Sequence, residues 1–310
     1  MYELGELEAI IAPDGEVFVL GDGAARAVLA LGGRGAPAVE YRTVRGYRQA
    51  SETVVEWTLQ PRSISALISW ASTSRDDYWR ARAELMRVMR PNQGGPLRLR
   101  HVRADGTQRD IEAYPDSTPV FEDDYAWETF EERLAFICYD PVFYDPFEQV
   151  LTFTSQAMTE LVFPLEFPIQ FGDSLRLGDE TTVAYPGDWP AYPVIQATGP
   201  YTTLAIVNLT TGARVRLGQP IVAGETRTID LAPGKQRIVD GAGTNRFHEL
   251  VLPDSDLVAF NLRPAGLPLG DSPHEGVPDG VNVLRVEAAG QVPGQTQVTV
   301  TYQPRYLSVA

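Results

Sequence analysis

Three histidines, one cysteine and 41 acidic residues are the groups with which this chain could do chemistry. Their spacing assembles no recognisable site. His101, His248 and His274 are scattered, and His248-Glu249 has no second histidine four residues on, so no metal-ligand pattern forms. The single Cys138 excludes a disulfide within the chain and cannot build a structural zinc site without help; inside an apolar strand pattern it reads as a buried, inert thiol suited to a reducing cytoplasm. Gly21-Asp22-Gly23 followed by Arg26 fails the dinucleotide fingerprint, and neither a phosphate-binding loop nor a G-x-S-x-G elbow occurs. Asp254-Ser255-Asp256 begins like a calcium loop, but Val258 and Ala259 stand where it needs an oxygen ligand and a glycine. Carboxylate pairs leave no mark in a sequence, so two-carboxylate glycosidase chemistry is the one catalytic class left open. The reading is that of a non-enzyme with no catalytic, cofactor-binding or metal-binding residue.

Two segments could bind. Tyr185-Pro186-Gly187-Asp188-Trp189-Pro190-Ala191-Tyr192 sets aromatic residues in a loop, where Trp189 and Tyr192 are candidates for stacking on sugar rings or anchoring a partner; the alternative is that they plug one end of a sandwich. The acidic residues Glu122, Asp123, Asp124, Glu128, Glu131 and Glu132 suit a channel lining, a basic partner or a solvated loop.

The elements that would position these groups are mostly strands. The 27 glycines and 24 prolines, spread along the chain, are what many short strands joined by tight turns require. Residues 7–20 alternate into Val17-Phe18-Val19-Leu20 and meet Gly21-Asp22-Gly23, a hairpin-like turn signal; residues 24–50 suit a mobile loop or an arm, and Thr53 to Gln60 is a β-branched strand stopped by Pro61. One helix is predicted over about 74–90, with a Ser74 to Asp77 capping box, acids in its first turn, Arg87 and Arg90 in its last, and Pro91 beyond. Tyr78, Ala81, Leu85, Val88 and Met89 form its apolar face, and Arg80, Glu84 and Arg87 a charged ladder on the other. A hairpin follows, 97–102 with 109–114, and then a closing strand over 130–139. That strand ends in Asp140-Pro141 and Asp145-Pro146, a double break that marks a domain exit and divides the chain into 1–146 and 147–310. Beyond it, strand-like runs recur at 150–154, 192–197, 202–209, 213–217, 226–231, 235–239, 247–252, 256–262, 281–288 and 296–303, the spacing of a β-sandwich. The prolines of 161–171 confine that stretch to edge or irregular strands.

The net charge of −15 divides into 24 acids against 16 bases in 1–146 (−8) and 17 against 10 in 147–310 (−7). Neither half is a nucleic-acid-binding module by charge, although an acidic wall lets DNA slide past without sticking. Lys235 is the single lysine. No apolar run approaches the ~20 residues of a membrane span, and the first residues are acidic where a secretory signal would be basic. The expected place of folding is therefore the cytoplasm.

Several pieces, in order over most of the chain, resemble the distal tail proteins of long-tailed bacteriophages. In the first half they are Leu59-Gln60-Pro61-Arg62, the capped helix, Gly95-Pro96-Leu97 and the closing strand into Asp140-Pro141-Val142-Phe143-Tyr144-Asp145. In the second half they are Phe163 to Pro168, Tyr192-Pro193-Val194-Ile195 with Gly199-Pro200, Ile206 to Gly212, and Gly224 ahead of Thr228-Ile229-Asp230-Leu231. The resemblance implies a mainly-β chain, with an N-terminal ring-forming belt domain of β-barrel or sandwich type carrying one helix, and a C-terminal galectin-like β-sandwich. It also implies a virion protein at the tail tip, made in the host bacterial cytoplasm. There a homo-hexameric ring would join the tail tube to the baseplate or tail fibre and leave a channel for DNA, with no membrane and no cofactor. A closed ring needs one complementary pair of patches per subunit, and Tyr78, Arg80, Glu84 and Arg87 on the helix are the expected ring-interface residues. The competing role is a carbohydrate-binding adhesin that contacts the host surface through Trp189 and Tyr192.

Overall fold

The computed structural model describes residues 8–20, 26–91, 94–103, 105–117, 119, 128–154, 177, 180–266 and 277–309. The expected turn at 21–23, the acidic segment 121–127, the proline-interrupted stretch 161–171 and His274 lie outside the described residues. The chain is mainly β, with one α-helix among the described residues. It divides into two compact units, one of Met1–Pro146 with Tyr306–Ala310 and one of Phe147–Arg305.

The first unit is built on one bent antiparallel sheet. Its strands are β1 (Glu8–Ile11), β2 (Val17–Val19), β3 (Arg26–Gly32), β6 (Arg62–Ala71), β7 (Leu97–Val102), β8 (Gln108–Pro115) and β9 (Thr129–Cys138), in the order β2-β1-β7-β8-β9-β6-β3. β8 is the corner. It pairs with β7 along its length, while its last residues, Tyr114 and Pro115, pair with Ile137 and Phe136 of β9. The two wings share one core, with Ile10, Phe18, Leu99 and Ile111 from one side and Ile64, Ile68, Trp70, Leu134 and Phe136 from the other. α1 (Arg75–Val88) adds Tyr78, Leu85 and Val88 to that core, and Met89, its C-cap, joins them. Its start follows the expected cap: the Ser74 hydroxyl accepts from the Asp77 N–H at 3.1 Å.

Two strands, β4 (Val39–Val44) and β5 (Thr53–Leu59), stand apart from this sheet and pair only with each other. The arm reading of 24–50 therefore splits. Arg26–Gly32 is an edge strand of the sheet, and Val39 onward is the arm. The sequence reading also passes over β6, although Ile64, Ala66, Ile68 and Trp70 alternate strictly with Ser63, Ser65, Leu67 and Ser69; the first set is buried between the wings.

The second unit is a two-sheet sandwich. One sheet runs β11 (Gln149–Thr154), β19 (Gln297–Tyr302), β13 (Val194–Thr198), β16 (Thr226–Asp230), β17 (Arg237–Asp240); the other runs β12 (Thr181–Ala184), β18 (Val281–Ala289), β14 (Thr203–Asn208), β15 (Arg214–Leu217). Inward residues of both sheets, among them Ile195, Ile229, Val298 and Val300 against Leu204, Ile206, Leu284 and Val286, make its core. The expected strands at 247–252 and 256–262 are instead 3₁₀ turns at Phe247–Glu249 and Leu252–Asp254, with isolated bridges at Leu250 and Leu262. Pro253 removes a ladder donor, and the Asp256 carboxylate caps the Val258 and Ala259 N–H groups, which draws the backbone into a turn.

The last five residues, which the sequence reading leaves in the second half, belong to the first unit. Three contacts hold them there. The Tyr306 ring lies under the Arg109 guanidinium at 3.6 Å, the Leu307 carbonyl accepts from Arg62 Nη2 at 2.6 Å, and Val309 is buried in the core. Arg62 is 4% exposed and also donates through Nη1 to the carbonyls of Gly33 (3.1 Å) and Gly35 (2.6 Å), with its guanidinium 4.7 Å above Phe143. Truncating a buried cation that satisfies three carbonyls strands those acceptors, and Arg62→Met is expected to destabilise the first unit by ~3 kcal/mol. Urea unfolding checks the loss, and faster carboxypeptidase removal of the last five residues checks the freed tail; unchanged values in both would sink the assignment.

Candidate functional site

Among the described residues, the arm gathers exposed large hydrophobic side chains: Val39, Tyr41, Val44, Tyr47, Val54, Val55 and Trp57. Directly paired residues share a face of a ribbon, so Val39 with Leu59 and Tyr41 with Trp57 give an apolar face, while Glu40 with Thr58 and Arg42 with Glu56 give a polar one. The polar face is internally satisfied: Arg42 pairs with Glu56 at 3.5 Å and Gln60 donates to Glu40 at 2.6 Å. The apolar face is half-exposed, with Tyr41 61% and Trp57 50% exposed. A bulge between Arg42 and Thr43 interrupts the register. At the tip, Arg45 Nε donates to the Gln49 carbonyl at 3.0 Å, Tyr47 is 94% exposed, and Arg48 takes φ +64° with its guanidinium 5.4 Å over Tyr47. A left-handed arginine is an uncommon backbone state, at home in a tight tip.

The root of the arm is rigid by construction. Gly33 has φ +85°, and a Cβ there would collide with the Ser63 carbonyl, so only glycine lets the chain leave β3 at this angle. The Gln60 N–H donates to Ala38 O at 2.8 Å and closes the ribbon, and Arg62 grips Gly33 and Gly35 beneath it.

Of the helix residues expected at a ring interface, three have partners within their own unit. Tyr78 is buried, Glu84 pairs with Arg26 at 2.9 Å, and Arg87 pairs with Glu16; Arg80 is exposed. The outward stripe of α1 is made by residues that the sequence reading did not single out, Trp79, Ala83 and Met86, of which Trp79 is 49% and Met86 40% exposed. Their spacing of four and three was the signal available.

In the second unit the aromatic loop is folded on itself. The Tyr185 hydroxyl donates to the Trp189 carbonyl at 2.7 Å and accepts from the Arg305 N–H at 2.8 Å, and the N–H groups of Asp188 and Trp189 donate to the Arg305 carbonyl at 3.0 and 3.1 Å. Gly187 is required here, because a Cβ would overlap the Tyr185 hydroxyl and the Arg305 carbonyl. Trp189 and Tyr192 are both half-buried, and Tyr192 packs on the sandwich core with the Arg305 guanidinium 5.7 Å from its ring.

The titratable groups considered for chemistry serve structure. Asp254 pairs with Arg216, and Ser255 Oγ accepts from the Arg216 N–H at 2.9 Å. His101 is buried edge-on to Phe143, and His248 lies in the Phe247–Glu249 turn. Glu249 is buried in a bidentate pair with Arg227, at 2.7 and 3.1 Å, which raises the arginine's affinity for its proton. Among the described residues no three His, Cys, Asp or Glu side chains cluster to hold a metal ion. Burial pushes the Cys138 thiol up to about 12.

This combination of an antiparallel sheet bearing one helix and a two-stranded ribbon, with a β-sandwich inserted in the chain, has counterparts among solved structures. The chain matches the crystal structure of the SPP1 Dit (gp 19.1) protein, which is described as a paradigm of the hub adsorption apparatus in phages that infect Gram-positive bacteria. The match covers 96% of this chain and 98% of that one, with a TM-score of 0.58 and 14% identity. It also matches chains of the phage P2 baseplate in its activated conformation, with Ca (96% and 97% covered, TM-score 0.52, 10% identity) and with Sr (96% and 97%, TM-score 0.51, 9% identity). No family model and no curated protein matches the sequence. The resemblance to distal tail proteins read from the sequence is thus borne out in the fold.

Two outcomes follow from the buried groups. Tyr185→Phe removes a hydroxyl that bonds two backbone groups, which should cost the second unit about 2 kcal/mol in denaturant unfolding; a cost near zero would mean that the loop is held by packing alone. Cys138 should resist thiol reagents at pH 8 until the chain unfolds. Because the folded thiol keeps its proton to about 12 while the unfolded one loses it near 9, stability should decline between those values, by up to ~1.4 kcal/mol per pH unit. That extra slope should vanish in Cys138→Ala.

Proposed function

We propose that this chain is a distal tail protein, the hub at the tip of a long phage tail. In this reading it forms a homo-hexameric ring of first units that joins the tail tube on one side to the baseplate or tail fibre on the other, with an axial channel through which DNA passes. The single observation that carries the reading is a fold shared over 96% of this chain and 98% of SPP1 Dit. The second unit is the galectin-like domain of the family, the working location is the virion, and the role is structural rather than enzymatic. A net charge of −15 suits a wall past which a polyanion must slide without adhering. α1 lies at the ring seam, through Trp79, Ala83 and Met86 together with the exposed Arg80.

Carbohydrate contact through Trp189 and Tyr192 is the lesser reading. The loop that carries them directs its hydrogen bonds to Arg305 and Tyr185, and Tyr192 packs against the sandwich core.

Light scattering of the purified protein, with negative-stain images of the same sample, tests the ring. The expected particle has about six or twelve times the 34.1 kDa chain mass and a central hole. A monomer at high concentration would overturn the self-assembling hexamer.

A further inference from the structure

The two sheets of the sandwich end in the edge strands β11, β17, β12 and β15, and the chain treats these edges differently. β17 is closed by its own return: the Arg246 N–H donates to the Ile238 carbonyl at 2.7 Å, the Asp240 N–H donates to the Thr244 carbonyl at 3.0 Å, and Val239 bridges Asn245. β15 is closed by the turns that follow it. The Val251 N–H donates to the Arg216 carbonyl at 2.9 Å, the Asp256 N–H to the Arg214 carbonyl at 2.8 Å, and the Arg216 N–H to Ser255 Oγ at 2.9 Å. β12 is four residues long and follows Glu180, which pairs with Arg285. β11 has none of these protections. It pairs with β19 over all six of its residues without a bulge, and Gln149-Val150-Leu151-Thr152-Phe153-Thr154 holds no charge, proline or glycine. Among the described residues no backbone group bonds its other side. A regular, uncharged edge of this kind is a template for a further strand.

We propose that two copies of this chain join by antiparallel pairing of their β11 strands, which makes their five-stranded sheets one continuous sheet across a two-fold axis. Charge selects a second copy as the occupant. Copies that each carry −15 repel, and they approach where neither is charged. The outward residues of β11, β19 and β13, from Val150, Thr152 and Thr154 across Thr299 and Thr301 to Gln196, include no charge. The strand also matches itself. An axis at Thr152 sets Thr152 opposite Thr152, Val150 opposite Thr154 and Leu151 opposite Phe153. Directly opposed residues share a face, so outward residues meet outward ones and inward residues meet inward ones. Leu151, only partly buried against the sandwich core, then packs beside a second Phe153 and carries the core across the axis. The two Glu148 side chains fall at opposite ends of the pair, about 27 Å apart along the strands and well beyond the ~8 Å screening length. A two-fold contact is isologous, each copy giving and receiving the same surface, and this one lies wholly in the second unit. It therefore stands whether or not the first units close a ring.

The test is cross-linking of full-length protein through a cysteine placed on the axis. Opposed residues of an antiparallel pair have Cα atoms about 4.5–5.5 Å apart, within the about 4.4–6.8 Å that a disulfide spans. Thr152→Cys should therefore give, under mild oxidation, a covalent species of twice the 34.1 kDa chain mass on a non-reducing gel. The product stops at two chains because the native Cys138 is buried. Thr154→Cys is the control, since its two copies would lie about 14 Å apart in this register and should cross-link severalfold less. Far-UV circular dichroism establishes that each variant is folded. A Thr152→Cys yield no higher than the Thr154→Cys yield would overturn the pairing. Adding Val150→Lys and Thr154→Lys to Thr152→Cys opposes lysine to lysine and should suppress the dimer, and mixing with the matching Val150→Glu, Thr154→Glu form should restore it; suppression without restoration would also overturn the register. The mass of the wild type separates this inference from the ring. A six-chain particle whose Thr152→Cys form does not cross-link would leave the ring and overturn the pairing, whereas a two-chain wild type that cross-links would do the reverse.

Discussion

Arg62 is the residue on which the first unit depends. A guanidinium 4% exposed has given up most of its water, a loss that lowers its affinity for the proton. It is tolerable because the planar fork meets three carbonyls and an aromatic face. Those four partners come from separate places in the chain: Gly33 and Gly35 at the arm root, Leu307 in the returning tail and Phe143 in the double Asp-Pro exit. One side chain thus fixes where the arm departs, where the chain leaves the unit and where it comes back. Lysine could not replace it, since a single ammonium cannot present donors in that planar spread.

The return of the tail makes the second unit an insertion between Pro146 and Tyr306 rather than an appendage. The chain enters the sandwich at Phe147 and leaves at Arg305, and the first unit is complete only when the last residues have been added. Val309 in the core and Tyr306 against Arg109 give those residues a reason to be ordered that a free C-terminus lacks. In the sandwich, Arg305 immediately before the crossing organises the aromatic loop, so its polar groups hold the end of that unit together.

How legible each element was depended on whether its signal was local. The capped helix, the 97–114 hairpin and the closing strand carry their start, stop and periodicity within a dozen residues, and each was found within about two residues of its place. β6 carried an equally clear alternation but followed Pro61, and a proline read as a stop concealed it. β3 was illegible for a better reason: with two alanines and a glycine among its seven residues it has little propensity of its own, and it is a strand because β6 pairs with it; β4, whose Val39, Tyr41, Thr43 and Val44 favour a strand, was hidden by the glycine- and alanine-rich residues around it. On the helix, the charged ladder was the conspicuous pattern, yet Glu84 and Arg87 are engaged within the unit by Arg26 and Glu16, which are 58 and 71 residues away. That left Trp79 and Met86 to face out.

By itself, the sequence determined what depends on neighbours along the chain: a mainly-β composition of short strands, one helix with its cap, the break after residue 139, and a chain whose titratable groups form no motif for chemistry. Only the tertiary structure decided which exposed surfaces remain, because exposure is what is left after every long-range contact has been made. The tail that completes the first unit, the arm that stands clear of its sheet and the helix face turned outward all depend on pairings between distant residues. No local period encodes them.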